Sequence, residues 1–397
     1  MDHSLGTVRR VFDALLPARR LLLARDHRTV ERQRAIAEIA APSGLEGARA
    51  AAVQSQLREL GLDAATDDAG NVIAQRRGTS HEAPVVICAH LDTVFDANIS
   101  HHVARDGDRL VGPGIGDNAR GVAGMLAIVE ALQEVQLRTR HPILFVATTG
   151  EEGGGNLRGA RHLFATRAAG AHAAIALDGA GDERVVTHAL GIRRFRIRFR
   201  GPGGHSWAAH GLVNAVHAAA ALTAQLASWQ LPTAPRTVLT VARIGGGSAI
   251  NAIPGDGWLE VDLRSTSGAE LERLDADIRR CARQVLDVHN QGRRPDSPLL
   301  QMAVELIGDR PSGAIASDAF LAHAAFDATR LVGRTPESAV ASTDANIPLH
   351  LGLPAIALGA GGRGGEVHTT REWYENRDGA LGLVRAMTVL AAVAELA

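Results

Sequence analysis

Seven side chains in this 397-residue chain have the types and settings of metal chemistry. In VVICAHLDTVF, His90 directly follows an apolar, β-branched run and Asp92 comes two residues later, so on extended backbone the two side chains point the same way. A metal-bound imidazole usually donates its second N–H to a nearby oxygen, and a carboxylate this close is placed to accept it. In GPGIGDNARG, Asp117 lies in a glycine-rich turn just before a helix, where a bare backbone lets a carboxylate approach an ion closely. Glu151 and Glu152 stand side by side in LFVATTGEEGGGN, where an apolar run ends. Asp178 closes the run in ALDGAG, and His368 follows the glycine-rich loop of LGAGGRGGEVHTTREW. Each alone has a plain reading as a solvated turn, an N-cap or a loop histidine. Together they occupy five strand exits or turns, and open α/β sheets gather their sites outside the carboxyl ends of strands. Nitrogen and carboxylate donors in this mixture suit zinc, cobalt or manganese better than copper or an iron–sulfur cluster.

Such residues need elements to carry them. Helical periodicity from about 29 to 60 ends at Gly61, a C-cap glycine. A strand-like stretch turning at 67–71 leads to the apolar run 85–89, followed by helix 119–135, strand 141–149, helix 158–168 and strand 171–178. This alternation predicts an α/β domain with a mostly parallel sheet and helices on both faces. Near Gly191 the pattern changes, because RFRIRFR alternates apolar and arginine side chains with period two, as a strand with one wet face does. Read as an unpaired edge, that strand would invite association. A helix at 213–229, strands at 237–244 and 258–265, and a helix at 269–288 complete a β-α-β-β-α order. An inserted α+β unit with a small antiparallel sheet is therefore expected, returning through HNQGRRPDSP (289–298). The expected division is 1–188, 189–298 and 299–397, the first and last forming one metal-binding domain.

Composition excludes several classes. A formal net charge of -1 argues against nucleic acid or an anionic membrane surface as the main partner. The 42 basic residues are all arginine, which rules out a lysine nucleophile, a Schiff base and a Walker-type phosphate loop. Cys88 and Cys281 make no disulfide framework. The N-terminal stretch to His27 interrupts its apolar clusters with arginines and reads as an amphipathic helix, and no segment approaches the ~20 apolar residues of a spanning helix. Cytoplasmic location is the resulting expectation. Nucleotide binding is disfavoured, since no G-x-G-x-x-G joins a strand to a helix with an acidic residue ~20 positions on.

From IAAPSGLEGAR (39–49) to the C-terminus, the ordered set AHLDTV, GDN, GEEGGG, GGHSW, NAIPG and GGEVHTTREW resembles the metallopeptidase and deacylase family of carboxypeptidase G, the aminoacylases, acetylornithine deacetylase, succinyl-diaminopimelate desuccinylase and peptidase T. The resemblance implies two divalent ions, zinc first and cobalt or manganese next. His90 and Asp178 would bind one, Glu152 and His368 the other, and Asp117 would bridge them, with Asp92 orienting His90. Glu151 would be the general base, moving a proton from the activated water to the leaving amine. The inserted unit resembles the family's lid and dimerisation domain. There His205 would reach the partner subunit's site to stabilise an oxyanion, and Asn251 and Arg264 would hold a substrate carboxylate. The expected enzyme is a homodimer that hydrolyses an amide in a short peptide, as an exopeptidase or di- or tripeptidase, with neither nucleic acid nor membrane as partner. An N-acyl amino acid deacylase is the alternative, because the same seven residues serve both. A silent binding scaffold would be expected to lack Glu151 or a ligand, and none is missing. Asn118 and Ala119 after Asp117, and Thr370 and Arg371 after His368, depart from many relatives and leave the substrate subclass open.

Overall fold

The computed structural model describes residues 2–397. Short apolar runs rich in valine, isoleucine and alanine form strands Ile143–Thr148, Val85–His90, Ala173–Leu177 and Ala355–Leu358, which lie side by side and parallel. Every residue of these four strands is buried. Such strands are covered on both faces, as parallel strands must be. Antiparallel pairing takes over at the rim, with Val72–Arg76 and Ala64–Thr66 on one side and Arg184–Ala189 on the other. The result is a nine-stranded mixed sheet with a parallel centre. Helix Ala119–Glu134, buried along nearly its whole length, packs on it.

The stretch to His27 forms two helices, Asp2–Ala14 and Leu16–Ala24, and the start of a third where one amphipathic helix was expected, and the helical run expected over 29–60 breaks into Asp26–Ala37 and Gly47–Glu59. Val8, Leu15 and Ala18 join the main core, so this stretch is built into the domain. Among the described residues no helix is long and apolar enough to cross a membrane.

The chain divides into two compact units, residues 1–189 with 314–397, and residues 190–313. The second holds an antiparallel sheet in the order Thr237–Gly246, Asp256–Ser265, Gly191–Arg200, Gln301–Arg310, with Phe195, Ile197, Phe199, Leu259, Val261 and Leu263 packed under helices Ala215–Ala227 and Gly268–Gln291. Two expectations change here. Gly191–Arg200 is a central strand, not an edge, because carboxylates flank its arginines: Arg194 meets Asp262 at 3.1 Å and Arg196 meets Glu260 at 2.8 Å, while Arg198 and Arg200 share Asp256. The edges are Thr237–Gly246 and Gln301–Arg310. The return to the first unit falls after Gly313 where the sequence suggested 298, since Gln301–Arg310 pairs along Gly191–Arg200 and completes the small sheet.

Candidate active site

Each ligand type arrives at the end of its own strand or loop. Val85–His90 delivers His90, which is buried, and its Nε2 lies 3.0 Å from Asp117 Oδ1 and 3.8 Å from Asp178 Oδ1. His368 Nε2 lies 3.3 Å from the other Asp117 oxygen and 2.9 Å from Glu152 Oε1. Asp117 thus stands between two imidazoles, one oxygen toward each. Donor atoms of His90, Asp117 and Glu152 all fall within 4.8 Å of one another. Asp178 and His368 flank that trio, so the structure brings all five expected ligands together.

Asp92 departs from its expected contact. The His90 Nδ1 hydrogen-bonds the Asp92 backbone carbonyl at 3.0 Å, with the nearer carboxylate oxygen at 3.6 Å. The Asp92 carboxylate instead accepts the backbone N–H groups of Glu151 and Glu152, each at 2.9 Å, and the hydroxyl of Ser43. It is the anchor of the GEE turn. Gly150, at φ +64°, lets the chain leave strand Ile143–Thr148 in a left-handed step. A side chain at Gly155 would collide with Gly150 at 2.5 Å, whereas Gly153 and Gly154 face open space. Of the three glycines, Gly155 is therefore the one that closure of the turn requires.

The electrostatics describe a cluster short of positive charge. Burial opposes a charged His90, yet Asp117, Asp178 and Asp92 together raise its imidazole well above the ordinary histidine range. Hydrogen bonds to Asp117 and Glu152 lift His368 to about 10. Burial pulls the other way on Asp92, but His90, Ser43 and the Glu152 N–H hold it at about 2, and the two imidazoles keep Asp117 below the usual carboxylate range. Ligation of a divalent metal requires neutral imidazoles and releases any protons they hold. One Asp117 oxygen, in contact distance of His90, is buried without a well-aligned hydrogen bond. Nitrogen and oxygen donors, a carboxylate between two imidazoles, and this unsatisfied atom all fit divalent metal.

Several supporting residues were not singled out as site residues by the sequence. Glu372 is fully buried and accepts the N–H groups of Gly114, Gly116 and Asp117 at 3.1, 2.7 and 2.7 Å, tying the His368 segment to the Asp117 loop; burial, with Asp117 nearby, pushes it up to about 7. Asn118 donates to the Leu177 carbonyl and accepts from Gly179, bracing both neighbours of Asp178. Glu46 accepts the Gly150 N–H, and buried Arg49 donates to the Leu91 carbonyl. Asp344 is buried beside Thr148, whose hydroxyl it accepts; its second oxygen has no partner, and burial pushes it up to about 6. Ser43, Glu46 and Arg49 lie in the quoted APSGLEGAR stretch, which is where their signal was. Asp117 and Asp178 open on a depression of about 950 Å³ lined also by Arg334, Arg363, Trp373 and Arg377.

In the second unit, His205 and Asn251 are neighbours: Gly204–His205 pairs with Ala252–Ile253, and the Ser206 N–H donates to the Asn251 carbonyl. The His205 ring is exposed and accepts the Trp207 N–H at 3.2 Å. Arg264 lies on a different strand, its guanidinium turned to Asp262 at 2.8 Å as one rung of the charged face.

The model for Peptidase family M28 matches residues 71–228, and that for a peptidase dimerisation domain matches residues 187–290. N-carbamoyl-L-amino acid amidohydrolase of Geobacillus stearothermophilus is 35% identical over 102 residues, 25% of this chain and 21% of that protein. Carboxypeptidase G2 of Pseudomonas sp. is 27% identical over 246 residues, 58% of each chain. The chain thus matches these curated relatives over less than two thirds of their lengths. In fold, aminopeptidase PepT from Bacillus cereus superposes with a TM-score of 0.74 at 22% identity, over 93% of this chain and 99% of that one. The resemblance read from the motifs holds.

Proposed function

We propose that this chain, a relative of metal-dependent peptidases and amidohydrolases, cleaves the amide bond of a short peptide. The carrying observation is Asp117 held between His90 and His368, with Glu152 and Asp178 completing the donor set. His90 and Asp178 would hold one divalent ion and Glu152 and His368 a second, Asp117 touching both; zinc suits the donors best, with cobalt and manganese next. Bound there, the ions would supply Lewis acidity toward water and the scissile carbonyl.

The chain's own groups do the rest. Asp92, through two backbone N–H groups, fixes the turn that carries both glutamates. Glu151, buried beside the donors, takes a proton from the attacking water and returns it to the leaving amine. His205 would serve the developing oxyanion, and Asn251 and Arg264 the substrate's carboxylate, Arg264 giving up Asp262 to do so. The match to a dimerisation domain, and the open edge Thr237–Gly246 with exposed Val238 and Ile244, support a homodimer. Likeness to an N-carbamoyl amino acid hydrolase favours the deacylase alternative as the second reading.

The test is hydrolysis of a panel of di- and tripeptides and N-acetyl, N-succinyl, N-formyl and N-carbamoyl amino acids, before and after chelation. Activity abolished by chelation and restored by zinc, cobalt or manganese is expected, and full activity in metal-free protein overturns the reading. If His205 serves the other subunit, inactive His205→Ala and Glu151→Gln chains should regain activity when mixed. No rescue in confirmed heterodimers would assign His205 elsewhere.

A further inference from the structure

We infer that the third N-terminal helix, Asp26–Ala37, is a strap that positions the metal-ligand loops, and that Gln33 is its principal positioning residue; this rests on the metal site proposed above. Gln33 is fully buried. Its Nε2 donates to the Ile115 carbonyl at 2.7 Å, two residues before Asp117, while its own Oε1 has no partner. A leucine would fill that space without stranding an oxygen, so packing does not account for an amide there. The bond to Ile115 does. Glu372 grips the same loop by its N–H groups, so Gln33 and Glu372 fix the carbonyl and amide sides of one turn.

The strap has other attachments. At its first residue, Asp26 accepts from Asn376 at 2.6 Å, and Asn376 accepts the hydroxyl of buried Tyr374 at 2.9 Å. Tyr374 lies on strand Trp373–Glu375, directly after Glu372 and six residues beyond His368. Just past the helix, Glu38 accepts the Val103 N–H. Arg28 and Arg32, each at 3.1 Å, converge on Glu130 of helix Ala119–Glu134, whose first turn follows the Asp117 loop. One helix therefore holds the Asp117 loop directly and the strand behind the His368 segment through a side-chain relay. Both bear on the spacing of Asp117 from His368. The whole strap precedes residue 71, where the family matches begin.

The experiment compares parent, Gln33→Leu and Asn376→Ala as full-length protein. It measures zinc affinity by chelator competition, the visible absorption of the cobalt-loaded form, hydrogen exchange of residues 112–118 in metal-free protein, and kcat against KM. The expected result is ~10–100-fold weaker zinc binding, as for other residues that orient metal ligands. Shifted cobalt bands, faster exchange over 112–118, and a fall in kcat with KM held should accompany it. Asn376→Ala supplies the answer if Gln33→Leu does not fold. Parental affinity, cobalt spectrum and exchange in the folded variants overturn the strap even if turnover falls. A parent that binds zinc but hydrolyses nothing, with affinity still weakened by the variants, would sink the proposed reaction and leave the strap standing.

Discussion

The two units spend charge in opposite ways. On the outer face of the small sheet, arginines and carboxylates stand at facing or adjacent positions: Arg194 with Asp262, Arg196 with Glu260, Arg243 with the second oxygen of Glu260. At the end of the large sheet, Asp92, Asp117, Glu152 and Asp178 crowd two histidines, with Glu151 beside them and no arginine in contact range of the donors among the described contacts. The balance of charge is what separates the two surfaces. A matched ladder offsets its own charge, whereas the unmatched cluster raises the pKa of its own histidines.

Four substitutions probe that contrast, in descending size. Glu151→Gln should keep the metal and lose ~10²–10⁴-fold in kcat, the range of general acid–base catalysis; metal content and turnover are read together, and near-parental turnover with metal bound would assign the base elsewhere. Asp344→Asn tests an unmatched carboxylate that is not a proposed ligand. Its native proton is held to about 6 against an ordinary 3.8, so the folded chain binds more protons than the unfolded chain between those values. The stability linked to that proton is fully present below 3.8 and lost as pH rises through about 6. Relative to parent, the metal-free variant should therefore gain about 2 kcal/mol between pH 4 and pH 7, most of the roughly 2 pKa units at 1.36 kcal/mol each. Urea midpoints measure it, and a flat difference would mean Asp344 is already neutralised. Glu372→Gln should weaken metal binding ~10–100-fold by loosening three N–H contacts to the Asp117 loop; chelator competition shows it. Arg196→Ala, in the ladder, should cost no more than ~1 kcal/mol and leave metal affinity and turnover untouched. A larger effect there would erase the distinction between the two surfaces.

The parallel centre was legible because its strands are short, apolar and bounded by turn residues, and the donor residues were legible because each sits where such a run stops. Gln301–Arg310 was not placed, although Met302 and Val304 alternate, because periodicity announces a strand without naming its neighbour; its partner lies about a hundred residues earlier. The central position of Gly191–Arg200 was missed for the same reason. An arginine-rich face looks solvent-bound until the matching carboxylates are seen across the strand. Gln33 was silent, and Ser43, Asn118 and Glu372 were visible only as members of motifs, because they act on backbone groups or residues 49 to 258 positions away, and such bonds place no demand on local pattern.

The anchoring of the GEE turn by Asp92 carries one more implication. Glu152 is extended, at φ -77° and ψ 152°, and Asp92 accepts its backbone N–H and that of Glu151 together. One carboxylate gripping both amides locks their order on the turn, so the two acids cannot trade places by rotation alone. Their division of labour is a counting rule written into the backbone: deleting or inserting a single residue between Thr148 and Glu151 should put the wrong acid toward the donors and leave all seven side chains present in a protein that cannot turn over.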